Sequence, residues 1–345
     1  MLEQFRHLQL YFYQYHCDVG KRIMKEIKIG PNESDKRLDS FLKSYLPNAG
    51  GSFIYKMLRK KNITLNDKKA DGKEKLKNGD YIKIFFSDET FDKFRGKTSS
   101  LPQTEFKALK AFGNLQIIFE NDDILFVNKP AGVLSQKAKP EDISLNDWLI
   151  EYLLDNKKIT ADSLETYKPS ICNRLDRNTS GLVICAKSLK GARCMNQMLK
   201  DRTVDKYYRT IVSGKITGSS ELKGYLFKDE NKNKVFIKKE DPHDDRYSFI
   251  ETYYTPLEYN KDRDLTLLEV KLVTGKPHQI RAHLSSIGNP ILGDVKYNGL
   301  KLSSINYQIL HSYRLKFPET MPDGFSDIAG KEFIAELPDI FRKFF

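Results

Sequence analysis

From Leu115 onward the sequence breaks into short aliphatic, β-branched and aromatic runs separated by turn-forming residues. That pattern constrains the fold more than any other feature of the chain. LQIIFENDDILFVNKPAGVLSQ carries two apolar strands about the turn Glu120-Asn121-Asp122-Asp123, then a Lys-Pro-x-Gly bend. GLVICAKS reads as a buried strand, and VDKYYRTIV, FIETYYTPLEY and LTLLEVKLV as further strands, two of them alternating inward and outward. Helices punctuate this series. Residues 143–154 place Leu145, Trp148, Leu149, Tyr152 and Leu153 on one face, and SLKGARCMNQMLKDR turns Leu189, Ala192, Met195 and Leu199 inward. PHQIRAHLSSIG makes a short helix with Pro277 in its first turn and Gly288 at its end. No tandem repeat is present. The class is α+β, with a large, mostly antiparallel mixed β-sheet and flanking helices.

A chain of 345 residues exceeds one ordinary core, and the texture ahead of Leu115 is different. Leu38, Phe41, Leu42, Tyr45 and Leu46 take helical spacing over 34–46, with Ser34 or Asp35 as cap and Pro47 as stop. In SFIYKMLRKK, Phe53, Ile54, Met57 and Leu58 repeat that spacing while Lys56, Arg59, Lys60 and Lys61 face outward. NITLN and DYIKIFF are strand-like, so the order is helix, helix, strand, long turn, strand. Residues 21–87 hold 17 Lys and Arg against 8 Asp and Glu, or +9 of the chain's +12. A charge run is usually a solvated face. Concentrated in one small unit, this one points to phosphate binding. Residues 88–112 are polar, mixed in charge and without periodicity, and read as a linker.

The four cysteines, Cys17, Cys172, Cys185 and Cys194, form no CxxC pair and fit no zinc spacing, as expected of a reducing cytoplasm. No stretch approaches the ~20 apolar residues that span a bilayer. The first 22 residues, MLEQFRHLQLYFYQYHCDVGKR, are apolar and aromatic but interrupted by Arg6, His7, Gln9 and Gln14. They read as an accessory helix, or as an extension upstream of a start near Met24, rather than an export signal.

The most unusual string is Asn173-Arg174-Leu175-Asp176-Arg177-Asn178-Thr179-Ser180-Gly181, which runs directly into GLVICAKS. An acid between two arginines, in a turn entering a buried strand, is held ionised, which suits a nucleophile better than a general acid. By composition alone an Asx-turn or capping aspartate is favoured. In KYYRTIV, adjacent tyrosines enter a strand, where aromatics usually just pack. In TGKPHQIRAHL, Ile280, Leu284 and Ile287 mark the buried face with Arg281 at its edge. A buried arginine needs a carboxylate partner, and any acid serves.

Taken together, RLDRNTSGLVICAKS, KYY, TGKPHQIRAHLSSIGNPILGD and ILFVNKPAGVLSQ closely resemble the RluA-type pseudouridine synthases, over residues 115–317. RLDSFL, the basic second helix, ITLN and KNGDYIKI resemble the alpha-L motif, an S4-like RNA-binding domain. The resulting division is an N-terminal extension (1–24), an S4-like domain (25–87), a linker (88–112) and a pseudouridine synthase catalytic domain (113–345).

The resemblance implies Asp176 as nucleophile, Tyr208 as the tyrosine stacking on the target base, and Arg281 as the arginine pairing with that aspartate. It implies that Arg174 contacts RNA or fills the space of a flipped base, and that Arg37, Lys56, Arg59, Lys60 and Lys61 hold backbone phosphate. Many members carry histidine where this chain has Asn173, which is expected to alter local hydrogen bonding without removing activity. His278 and His283 lack further metal ligands in sequence, and the family uses no metal.

Isomerisation of uridine to pseudouridine oxidises nothing and transfers nothing in or out, so no cofactor is expected. The expected partner is RNA, ribosomal RNA of the large subunit ahead of transfer RNA, with no membrane partner and a monomer as default. The competing class is a non-catalytic RNA-binding ribosome-assembly factor, which the loss of Asp176, Tyr208 or Arg281 would have favoured. A paired-carboxylate hydrolase lacks its second acid.

Overall fold

The computed structural model describes residues 23–95, 106–231, 233–302, 305 and 307–345, and the chain divides into two compact units, Met1–Gln103 and Thr104–Phe345. The readings made for the first 22 residues and for Cys17 lie outside the described residues.

The first unit contains β1 (Ile23–Lys28), α1 (Leu38–Tyr45), α2 (Gly51–Arg59), β2 (Ile63–Leu65), β3 (Lys68–Lys69), β4 (Tyr81–Phe86) and α3 (Asp88–Arg95). The five apolar positions of the first expected helix are all buried. Its N-cap is Arg37, however, without a side-chain cap. Ser34 and Asp35 lie outside the helix because the chain there turns back, with the Asp35 N–H donating to the Leu76 carbonyl at 2.8 Å.

Two features went unread in the sequence. β1 pairs antiparallel with β4 from Ile23↔Phe86 to Lys28↔Tyr81, giving a sheet of order β1-β4-β2-β3. IMKEIK shows no alternation that would mark it as a strand, and its partner lies more than 50 residues away. The segment read as a linker carries α3, whose Phe91 and Phe94 pack on this unit's core, Phe94 lying 4.0 Å from Phe53 between ring centroids. Two aromatics three apart in a charged run are too few to signal a helix before the surface they cover is known.

The second unit comprises α4 (Lys107–Phe112), β5 (Ile117–Glu120), β6 (Ile124–Lys129), α5 (Leu145–Asp155), β7 (Ser170–Ile171), β8 (Ser180–Ala186), α6 (Leu189–Lys200) and β9 (Asp205–Ser213). After these come β10 (Ser220–Asp229), β11 (Lys234–Lys238), β12 (Ser248–Asn260), β13 (Leu265–Leu272), α7 (Gln279–Ser286), β14 (Leu310–Lys316), β15 (Glu332–Ile334) and α8 (Asp339–Arg342). α4 occupies the end of the expected linker, its first N–H groups held by the Glu151 carboxylate at 2.8 Å. The described strands form one sheet of order β11-β10-β12-β13-β9-β14-β8-β6-β5, with β15 on β14 and β7 on β8. Every pairing is antiparallel except β8 with β14. The sheet is therefore mixed and mostly antiparallel, as its strand pattern predicts.

β6 and β8 are buried on both faces, which explains their unbroken apolar runs. Leu125, Val127, Val183 and Cys185 pack on one side with Trp148 and Leu149 of α5. Ile124, Phe126, Leu182 and Ile184 pack on the other with Met195, Phe317 and Phe333. α5 begins with a capping box in which the Ser144 and Asp147 side chains answer each other's backbone N–H. The buried stripe of α6 is Gly191, Met195 and Met198; of the expected Leu189, Ala192, Met195 and Leu199, Met195 is buried and Leu199 packs half-buried on the same core, so the stripe is only partly rotated. Gly191 presses on the Asp123 carbonyl, where a Cβ would sit at 2.2 Å, and that contact sets the helix's rotation.

Gly181 is the second glycine that geometry demands. Its φ is +108°, and a Cβ would lie 2.2 Å from the Ser312 carbonyl oxygen across the parallel β8–β14 contact. Gly181→Ala is expected to destabilise the fold by at least ~2 kcal/mol, because backbone rather than a flexible side chain must yield. A urea midpoint matching that of the native chain would show that β14 moves aside freely.

Candidate active site

The loop 172–179 departs from the edge of β8, and its departure is controlled by one side chain. Ile171 pairs with Cys185 and the Cys172 N–H donates to the Ile184 carbonyl at 2.7 Å. The next rung is made by a side chain: Asn173 Oδ1 accepts from the Ile184 N–H at 2.7 Å. The backbone is thereby free to leave the ladder, and β14 takes over the edge at Ser180 and Gly181. Asn173, expected to alter local hydrogen bonding where many members of the resembled family carry histidine, supplies this rung.

The loop rests on the turn after β6. Ser135 Oγ accepts from the Leu175 N–H at 3.0 Å and donates to the Leu175 carbonyl at 2.8 Å. Gly132 N–H donates to the Arg177 carbonyl at 3.0 Å, and Arg177 Nε returns a bond to the Gly132 carbonyl at 3.1 Å. Beneath it lies Lys129, fully buried, whose Nζ donates to the carbonyls of Pro130, Val133 and Arg177 at 3.0, 2.8 and 3.0 Å. Burial pulls its pKa down to about 7, with the Asp176 charge opposing. Three carbonyl acceptors require all three ammonium hydrogens, so the bound form is the cation. The Lys-Pro-x-Gly bend was visible in sequence, but nothing there revealed that its lysine points inward beneath the loop.

At the far end, His311 Nε2 donates to the Ala335 carbonyl at 3.1 Å, which leaves Nδ1 to accept from the Ser180 hydroxyl at 2.8 Å. Burial holds this imidazole neutral, with its pKa lowered to about 4. Gln308 Nε2 donates to Thr179 Oγ1 at 3.1 Å. The segment carrying Asp176 is therefore fixed on both sides.

Asp176 is half-buried in this loop, with 26% of its side chain exposed. Arg281 Nη1, from α7, donates to Asp176 Oδ2 at 2.8 Å. The other edge of the guanidinium forks onto Asp294, Nε to Oδ2 at 2.7 Å and Nη2 to Oδ1 at 2.8 Å. Burial disfavours the arginine's charge, yet the hydrogen bonds and charge of Asp294, aided by Asp176, raise its pKa above the ordinary value. A permanently charged, two-sided clamp therefore orients the carboxylate. The sequence showed that Arg281 needs an acid but not that it has two, and Asp294 was missed although the string ILGD contains it.

Tyr208 belongs to the same apolar cluster as Leu175 and Ile280, the neighbours of Asp176 and Arg281. On β9 the two-residue period turns Tyr208 inward and Tyr207 to the other face, where Arg314 lies 4.1 Å over its ring. Burial pushes the Tyr208 phenol up to about 12, with the Asp176 charge adding and a Ser312 hydrogen bond opposing. Only 6% of Tyr208 is exposed.

Arg174 is exposed two residues before Asp176. Lys56, Arg59, Lys60 and Lys61 are exposed on the first unit, opposite the buried Ile54, Met57 and Leu58. Arg37 is exposed as well, but its fork is committed to Asp39 at 3.1 and 3.2 Å. His278 and His283 bond different partners, Tyr297 at 2.8 Å and Thr252 at 2.9 Å.

The same fold occurs in the human protein RNA pseudouridylate synthase domain containing 4, at a TM-score of 0.53 and 21% identity, covering 69% of this chain and 92% of that one. Residues 123–286 match the family model described as RNA pseudouridylate synthase, a span that includes the Asp176 loop, Tyr208 and Arg281. An uncharacterised RNA pseudouridine synthase of Mycoplasma genitalium is 30% identical over 304 residues, 86% of this chain and 90% of the relative. Ribosomal large subunit pseudouridine synthase C of Rickettsia felis is 30% identical over 289 residues, 82% of this chain and 88% of the relative. This chain belongs to the RNA pseudouridine synthase family, whose members are isomerases.

Proposed function

We propose that this enzyme isomerises specific uridines of large-subunit ribosomal RNA, with Asp176 as nucleophile acting on a uridine flipped out of its stack. The observation that carries the assignment is the Arg281 bridge: a buried guanidinium anchored by Asp294 holds one oxygen of a partly exposed carboxylate, and among the described residues the other oxygen accepts no hydrogen bond. Tyr208 and the apolar residues behind it wall the space in which the detached base turns. Arg174 contacts the RNA strand or fills the gap left by the base. The choice of ribosomal RNA rests on the name of the Rickettsia relative. Cytoplasmic placement accords with the free thiols of Cys172, Cys185 and Cys194, and no helix among the described residues is long and apolar enough to cross a membrane.

We assign the first unit the role of an S4-like RNA-binding domain in which Arg37, Lys56, Arg59, Lys60 and Lys61 track phosphate. Arg37, already paired, is the weakest of these contacts. A Lys60→Ala, Lys61→Ala double variant is expected to lower the slope of log affinity against log salt by about 1.5–2, one released counterion for each lost contact. An unchanged slope in a filter-binding titration would remove these lysines from the interface.

The function itself is tested by incubating the protein with unmodified ribosomal and transfer RNA transcripts and mapping pseudouridines by carbodiimide labelling and reverse transcription. New stops confined to ribosomal RNA support the proposal, and stops confined to transfer RNA shift the substrate. Tight binding without stops, together with a full set of pseudouridines in cells lacking the protein, would leave the assembly-factor reading.

A further inference from the structure

α7 starts in an unusual way. Its N-cap, His278, takes φ +54°, a left-handed conformation that costs a non-glycine residue ~1 kcal/mol or more and tends to persist where surroundings enforce it. Here it brings the imidazole, 11% exposed, to the same carboxylate that Arg281 holds three residues later.

A chain of hydrogen bonds stands behind that ring. β11 lies at the sheet edge, and the Val235 N–H on it donates to Tyr297 Oη at 2.9 Å. Tyr297 is 3% exposed, and its Oη lies 2.8 Å from His278 Nδ1. A phenol has one hydrogen, and with Val235 donating to its oxygen that hydrogen is free to go to His278 Nδ1, the acceptor in reach. Nδ1 is then the bare nitrogen, and a neutral imidazole carries its hydrogen on Nε2. Burial keeps the ring neutral, lowering its pKa to about 4 against the Asp176 charge that opposes the shift.

His278 Nε2 stands 3.9 Å from Asp176 Oδ2, the oxygen already bonded to Arg281. That is too long for a hydrogen bond but within ~1 Å of one, and catalytic contacts of this kind tighten when substrate binds. We propose that His278 is a positioning residue for the nucleophile: the Val235–Tyr297 relay sets its tautomer so that Nε2–H, closing on bound RNA, joins Arg281 on Asp176 Oδ2 and presents Oδ1 to the uridine. The inference rests on Asp176 being the nucleophile. It assigns a function to Tyr297, which no motif reading singled out.

Two measurements on the full chain test it. Nitrogen NMR of histidine-labelled protein at neutral pH, with the His278 signals assigned through His278→Gln, is expected to show protonated Nε2 and bare Nδ1. Tyr297→Phe is expected to mix the two tautomers. Single-turnover modification is expected to fall about 10²-fold in His278→Ala with RNA affinity unchanged, the usual effect of losing one preorganised donor. His278→Gln, whose amide N–H reaches the same place, is expected to recover most of that rate.

A proton on Nδ1 overturns the relay. His278→Ala reacting at the native rate overturns the positioning role. Equal losses in the alanine and glutamine variants, matched by equal losses in thermal stability, reduce His278 to a structural residue and also overturn it. A native chain that modifies no RNA defeats the functional assignment instead, while the tautomer measurement still decides the relay.

Discussion

Asp176→Asn is expected to abolish pseudouridine formation, lowering the single-turnover rate by at least ~10⁴-fold, the range seen when a covalent nucleophile is removed. The amide keeps the carboxylate's shape and can still accept from Arg281 Nη1, now 2.8 Å from Oδ2. It has no charge with which to attack. The loop should keep its place, because its anchors are elsewhere: Ser135 on Leu175, Lys129 and Gly132 on Arg177, and Gln308 on Thr179. Arg281 keeps both bonds to Asp294, so the variant's thermal stability should stay close to that of the native chain. Primer extension after carbodiimide labelling reads the rate, and stops at native intensity in the variant would transfer the chemistry to another residue.

Asp294→Ala is expected to damage the protein more than any other single substitution near the site. The Asp294 side chain is 1% exposed and holds Arg281 through two charge-assisted bonds of 2.7 and 2.8 Å. Its removal leaves a buried guanidinium with Asp176 alone, and breaking one side of a buried ion pair costs ~3–5 kcal/mol. For a unit of this size that corresponds to a fall in Tm of roughly 6–20 °C. Activity should fall as well, since an arginine freed on one edge no longer aims the carboxylate. Asp294→Asn should lie between, retaining shape and one acceptor without the charge. A Tm within 2 °C of the native value in the alanine variant would mean that Arg281 finds another partner or that water reaches it.

The legible part of the fold was what local periodicity encodes. β6 read as an apolar strand and β8 as a buried one because both of their faces are covered, and α5 read as a helix because its apolar residues recur at helical spacing. The inward turn of Tyr208 is a consequence of its place in an alternating strand. Elements with weak or ordinary patterns escaped. β1 has no alternation of its own, α3 shows only Phe91 and Phe94, and the inward stripe of α6 is set by Gly191 meeting the Asp123 carbonyl. That contact belongs to another segment and leaves no trace in the helix's periodicity.

The site divides in the same way. The sequence by itself determined which residue types stand together in NRLDRNTSGL and TGKPHQIRAHL, and that a buried Arg281 requires an acid, because these follow from charge, burial and short spacing. Only the tertiary structure decided that Arg281 serves two carboxylates, that Lys129 satisfies three carbonyls beneath the loop, and that Val235 and Tyr297 stand behind His278. Asp176 and Arg281 are 105 residues apart, and Val235 and Tyr297 are 62 apart. Bonds over such separations depend on which strands become neighbours in the sheet, and β8 beside β14 is a choice made by packing the whole unit rather than by either strand alone.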